Sequence, residues 1–204
     1  MTQYRISIAN TGKGTGDALE LTERIAETMG LTKKEALRLR LLAEEMLGMV
    51  QTIAGDFSAD FWIDHEGKDC TLHLKAKSEL DYQKRKELLS VSSTGKNTAD
   101  VGIMGKIRGL FEAGLHGMAE GFAMQADYGM VLPALGALDD GVSGVIYSWS
   151  MQKYKEDVHE DTDEWDELEK SIIANIADEV SVGVRNDGAE LVVYKSFKNG
   201  SNNS

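Results

Sequence analysis

Two adjacent carboxylates, Glu44 and Glu45, stand in the longest uninterrupted helical pattern of the chain, LTKKEALRLRLLAEEMLGMVQTIAG, residues 31–55. A carboxylate on a helix wall can take a proton or hold a water, but neighbouring helical residues point about 100° apart and do not work as a facing pair. The two are therefore not read as a catalytic pair, and a plain surface glutamate is an open reading of Glu44. The run Gly12-Lys13-Gly14-Thr15-Gly16 precedes a helical stretch and has the composition of a phosphate cradle. Its spacing is neither a dinucleotide fingerprint nor a Walker A motif, so a simple loop is expected. His65, His73, His116 and His159 are scattered and read as surface residues. Asp157, Asp161 and Asp163 lack the central glycine and closing spacing of a calcium loop. Cys70 is the single cysteine, which rules out an intrachain disulfide and a cysteine-based zinc site. No metal site and no nucleophile setting is predicted.

The elements that position Glu44 come next. Thr32 and Glu35 have capping-box spacing, and Leu39, Leu42, Ala43, Met46, Val50 and Ile53 recur at three- and four-residue steps as a core stripe. A second row, Leu37, Leu41, Glu44, Gly48 and Thr52, is too mixed to be either core or plain solvent face, so it is expected to meet another part of the protein. Before this helix, Tyr4, Ile6 and Ile8 alternate as a strand, and Leu19, Leu21, Ile25, Ala26 and Met29 line a helix ended by Gly30. After it, Ala59, Phe61 and Ile63, then Cys70, Leu72, Leu74 and Ala76, predict an antiparallel hairpin. Residues 79–91 read as a short charged helix.

The composition then shifts. Eleven of the twenty-one glycines lie between Gly95 and Gly144, and no Lys or Arg occurs from Gly109 to Gln152. Short helices at 99–111 and 113–124 and a strand through Val145, Tyr147 and Trp149 are expected, within a mobile insertion whose removal (96–150) leaves a folded core. Beyond nine acidic residues between Glu156 and Glu169, one helix is predicted through Trp165, Leu168, Ile172, Ile176 and Val180. A last hairpin follows, with Val182, Val184, Leu191 and Val193 inward, and residues 198–204 read as a disordered tail.

Strand, helix, long helix, hairpin, insertion, helix, hairpin is the order of an α+β two-layer sandwich, expected here as a mixed, mostly antiparallel sheet with helices on one face. That order, with TERIAETMGLTKKEALRLRLLAEEMLGMVQ and SIIANIADEVSVGVRNDGAELVVYK, resembles the GHKL or histidine-kinase-like ATPase domain, and within it the small bacterial anti-sigma-factor serine kinases. The resemblance covers residues 4–80 and 163–197 of a single domain, 1–197, and the insertion, 81–162, stands at the family's ATP lid. It implies a glutamate base on the long helix, with a magnesium-holding asparagine four residues later. These positions fall on Glu44 and Gly48, and glycine has no side chain to ligate magnesium. The adenine-binding aspartate of the family's D-x-G-x-G motif falls on Lys77, a donor that cannot accept the adenine amino proton, with Glu79 at the first glycine. TDEWDELEKS stands in place of the glycine-rich signature. One substitute is present: Asp100, Gly102 and Gly105 form D-x-G-x-x-G, followed by Lys106 and Arg108, which would serve adenine and phosphate if ATP binds. A glycine-spotted helix is the alternative reading.

The expected function is a non-catalytic regulatory or protein-binding domain on this scaffold, with no cofactor. The alternative is a divergent serine kinase using ATP and magnesium. A protein partner or self-association through residues 96–150 is expected. A net charge of −12 and a pI near 4.8 argue against nucleic acid and anionic membranes. Without a basic-apolar leader or a long apolar run, a soluble cytoplasmic protein is the expectation.

Overall fold

The computed structural model describes residues 4–53, 57–78, 102–116, 130–131, 145–158, 163–185 and 188–198. Strand β1 (Ile6–Ile8) enters the loop 9–14, where Gly14 adopts φ 88°. A side chain there is doubly disfavoured, since a Cβ would stand 2.1 Å from the Ser7 carbonyl oxygen. The glycines of this loop thus seat the start of helix α1 (Thr15–Thr28) against β1.

Helix α2 (Lys33–Thr52) opens with the expected capping box. The Glu35 amide donates to Thr32 Oγ1 at 3.3 Å, and the Thr32 amide donates to the Glu35 carboxylate at 2.7 Å. The latter bond is the main reason that the Glu35 carboxyl is held below its ordinary range. Leu39, Leu42, Ala43, Met46 and Val50 are fully buried as one stripe. Strands β2 (Phe57–Glu66) and β3 (Asp69–Ser78) pair in register around Gly67, which takes φ 60° in the turn.

Helix α3 (Ile103–His116) follows, then β4 (Met130–Val131), β5 (Val145–Ser150), and helices α4 (Met151–Asp157), α5 (Asp163–Lys170) and α6 (Ile172–Ile176). Strands β6 (Glu179–Arg185) and β7 (Gly188–Ser196) close the fold. The seven strands form one sheet in the order β1-β2-β3-β7-β6-β5-β4. Every described pairing is antiparallel, so no parallel pair of a mixed sheet occurs among the described residues. One face carries Ile8, Phe61, Leu72, Leu191, Val193, Val182 and Trp149, all in a single core cluster with side chains from each of the described helices. The fold is an α+β sandwich, two layers deep among its described elements.

Three expectations change. The two short helices expected at 99–111 and 113–124 are replaced, among the described residues, by the single helix α3. Its glycines are tolerated because Gly114 packs directly on β7, where a Cβ would meet the Gly188 carbonyl oxygen at 2.4 Å. Nor is the segment 96–150 a dispensable appendage. Ile103, Ile107, Leu110, Phe111 and Leu115 belong to the core cluster, and β4 and β5 extend the sheet. The predicted helix through Trp165 and Val180 is interrupted at Ser171, whose hydroxyl caps α6 by accepting the Ala174 amide at 3.4 Å, and Val180 lies in β6. Residues 79–91 and 199–204 lie outside the described residues, whereas Lys198 pairs with Asp69. Among the described residues no helix is long and apolar enough to cross a membrane.

Candidate functional site

With its apolar stripe pressed on the sheet, α2 turns the row Glu44, Gly48 and Thr52 outward. Helix α3 starts from Gly102, at φ 89°, and brings Met104, Gly105 and Arg108 to the opposite side of the same space. Between them lies an open groove of about 350 Å³, lined by Glu44, Glu45, Gly48, Met49 and Thr52 on one wall and by Met104, Gly105 and Arg108 on the other. Its volume is at the lower end of the range of ~300–1,000 Å³ for ligand clefts.

Each wall has its own electrostatics. Glu44 accepts from Arg40 Nε at 2.8 Å, and Arg40 also pairs with Glu23 of α1. One of the two carboxylates is therefore tied back to its own helix. The Glu45 side chain has no ion pair or hydrogen bond among the described residues. Thr52 Oγ1 donates to the Met49 carbonyl at 2.7 Å, and no basic residue stands in the last turn of α2. Opposite, Arg108 acts on Glu112, whose carboxyl is raised by burial and drawn partly back down by that guanidinium. Lys106 is spent elsewhere, with Nζ 4.4 Å from the centre of the Tyr154 ring.

The structure thus brings together Glu44, Gly48 and Gly105, three of the residues singled out by sequence, while Gly102 forms the start of α3. Asp100 lies outside the described residues. The expectation that the row Leu37, Leu41, Glu44 and Gly48 meets protein from the insertion changes at two positions. Leu37 is 56% exposed, and a Cβ at Gly48 would touch nothing within 4 Å. The insertion does stand across from this face, but at the distance of a groove. Lys77 is exposed near the end of β3, and Glu79 lies outside the described residues. Met49 escaped sequence reasoning, which had placed Glu45 beside Glu44 and Thr52 in the outward row.

The opposite face of the sheet holds a second polar group. Trp62 is fully buried there and stacks on His73, with ring centroids 4.6 Å apart and planes within 3°. Arg5 lies 4.2 Å from the centre of the Trp62 ring. His73 is therefore a stacked, half-buried residue, not the surface histidine expected, because the alternation that turns it from the core turns it toward Trp62. Its Nδ1 is 3.7 Å from Glu190 Oε1, and Arg185 Nη2 is 3.9 Å from Glu190 Oε2. Glu190 is fully buried, and among the described residues neither of its oxygens has a hydrogen-bond partner. Strand alternation marks Glu190 as facing away from the helices and gives no sign of its burial. Among the described residues no three His, Cys, Asp or Glu side chains are grouped to hold a metal ion.

The chain matches no protein-family model, no curated protein and no solved structure.

Proposed function

We propose that this chain is a non-catalytic regulatory, protein-binding domain on a histidine-kinase-like ATPase scaffold, and that the groove between α2 and α3 receives its partner. One observation carries the reading: at Gly48, where the resembled family keeps its magnesium-holding asparagine, the groove wall is bare helix with open space beyond. Backbone in the middle of a helix has its carbonyls committed to the helix and offers magnesium nothing. The neighbouring Glu44 is held by Arg40, and the carboxylate of Glu45, without an ion pair among the described residues, opposes a triphosphate across the same space.

A second reading, the divergent ATP-binding serine kinase, draws support from one contact of the groove. Gly105, the last glycine of the D-x-G-x-x-G run, lies across from Glu44 and Gly48. Thermal unfolding with and without millimolar Mg-ATP separates the two. The proposed function predicts an unchanged midpoint. Stabilisation approaching ~2.7 kcal/mol, the value for a ligand at 100 times its dissociation constant, would reject it in favour of the kinase.

A further inference from the structure

The groove is electrically polarised across its width. On the α2 side stand Glu44, Glu45 and the C-terminal half of the helix, whose last turn has no basic residue. On the α3 side stand Arg108 and the opening turns of the helix, whose first turn has no acidic residue. The two walls therefore differ in sign both in side chains and in backbone. Met49 and Met104 add thioethers, which adapt to an aliphatic stem of any shape. A space of about 350 Å³ holds a single residue and its stem, not a helix.

Resting on the partner-binding reading above, we infer that the groove receives the C-terminal residue of a partner chain when that residue is arginine or lysine. Such a residue carries both required charges at the two ends of an apolar stem. Its guanidinium or ammonium group meets Glu45, the carboxylate that has no other partner among the described residues. Its stem lies along Met49 and Met104. Its terminal carboxylate turns to Arg108. An internal basic residue supplies the cation but leaves the positive wall facing a neutral backbone. A nucleoside triphosphate sets several negative charges against Glu45. The groove selects for a ligand of two opposite charges a stem apart.

The direct test is calorimetric titration of the full chain with N-acetyl-L-arginine, which reproduces a C-terminal arginine. Saturable binding is expected, weakened about tenfold or more when the carboxylate is replaced (N-acetyl-L-arginine amide) or the cation is removed (N-acetyl-L-citrulline). Glu45→Gln should lose about tenfold, and Gly48→Leu should abolish binding by filling the groove. Neither variant loses packing, so Glu45→Gln should unfold close to the parent chain and Gly48→Leu no earlier than it. Absence of binding, or equal binding by Glu45→Gln, overturns the inference. Free L-arginine binding as tightly as N-acetyl-L-arginine also overturns it, since the groove would then serve a free amino acid and not a chain terminus. Stabilisation by Mg-ATP sinks the functional reading instead, so the two failures are told apart by different ligands.

Discussion

The two sides of α2 have the same backbone and opposite surroundings. Leu39, Leu42, Ala43, Met46 and Val50 are sealed at 0% exposure against the sheet. Around the helix, Glu44, Gly48 and Thr52 border an open groove. On the sealed side every methylene has neighbours, so sequence change there is felt as lost stability. On the groove side little is packed, and the same change should be felt as altered binding. The difference teaches that this helix is built to hold a surface in place as much as to fill a core.

The largest effect that can break this comparison is Leu42→Ala, expected to destabilise by about 2–5 kcal/mol in denaturant unfolding. A loss below ~1 kcal/mol would mean that the stripe is not the sealed side described. Gly114→Ala is expected to cost about 1–3 kcal/mol, because the new methyl is driven toward the Gly188 carbonyl and α3 must lift. That lift displaces Met104, Gly105 and Arg108, so the variant should also change ligand binding in the groove. A variant as stable as the parent would show that α3 is not held to β7 by this contact.

The sealed side also carries a pH signature. Burial pushes the Cys70 thiol up to about 12 from an ordinary 9.0. As pH rises past 9, the unfolded thiol loses its proton first while the folded one keeps it, so the unfolded state gains and stability falls until pH reaches the folded value. Comparing the parent with Cys70→Ala should isolate roughly 1 kcal/mol of this loss between pH 9 and pH 10. Parallel pH profiles for the two proteins would contradict it. On the groove side, Gly48→Ala is expected to stabilise the chain by about 0.5–1 kcal/mol, since alanine replaces a helical glycine without touching a neighbour. A destabilised Gly48→Ala would show that the groove is closed in solution.

Much of the sealed side was readable in the sequence, because a stripe at three- and four-residue steps and strict alternation in strands are direct consequences of burying one face. The Thr32–Glu35 capping box was legible for a similar reason, being purely local. Where tertiary contacts overrule local preference, legibility ended. Gly105, Gly109 and Gly114 argue against a continuous helix, yet α3 runs through all three, helped by the close approach to β7 that Gly114 permits. The break between α5 and α6 was hidden by an apolar row that continues past it, while the decisive residue is the capping Ser171. Half of the groove was visible from α2, in the row of Glu44 and Gly48. Its other half depends on where α3 docks, and that is a property of the assembled core. The buried Glu190 was hidden for the same reason, since pattern alone turns it toward solvent.

The central proposal is that the wall bearing Gly48 faces an open groove that takes no nucleotide. Methyl NMR of the chain labelled at methionine reads it directly, because Met49 and Met104 line that groove from its two sides. With millimolar Mg-ATP added, the account predicts that both methyl resonances stay where they are; a saturable shift of both would contradict it.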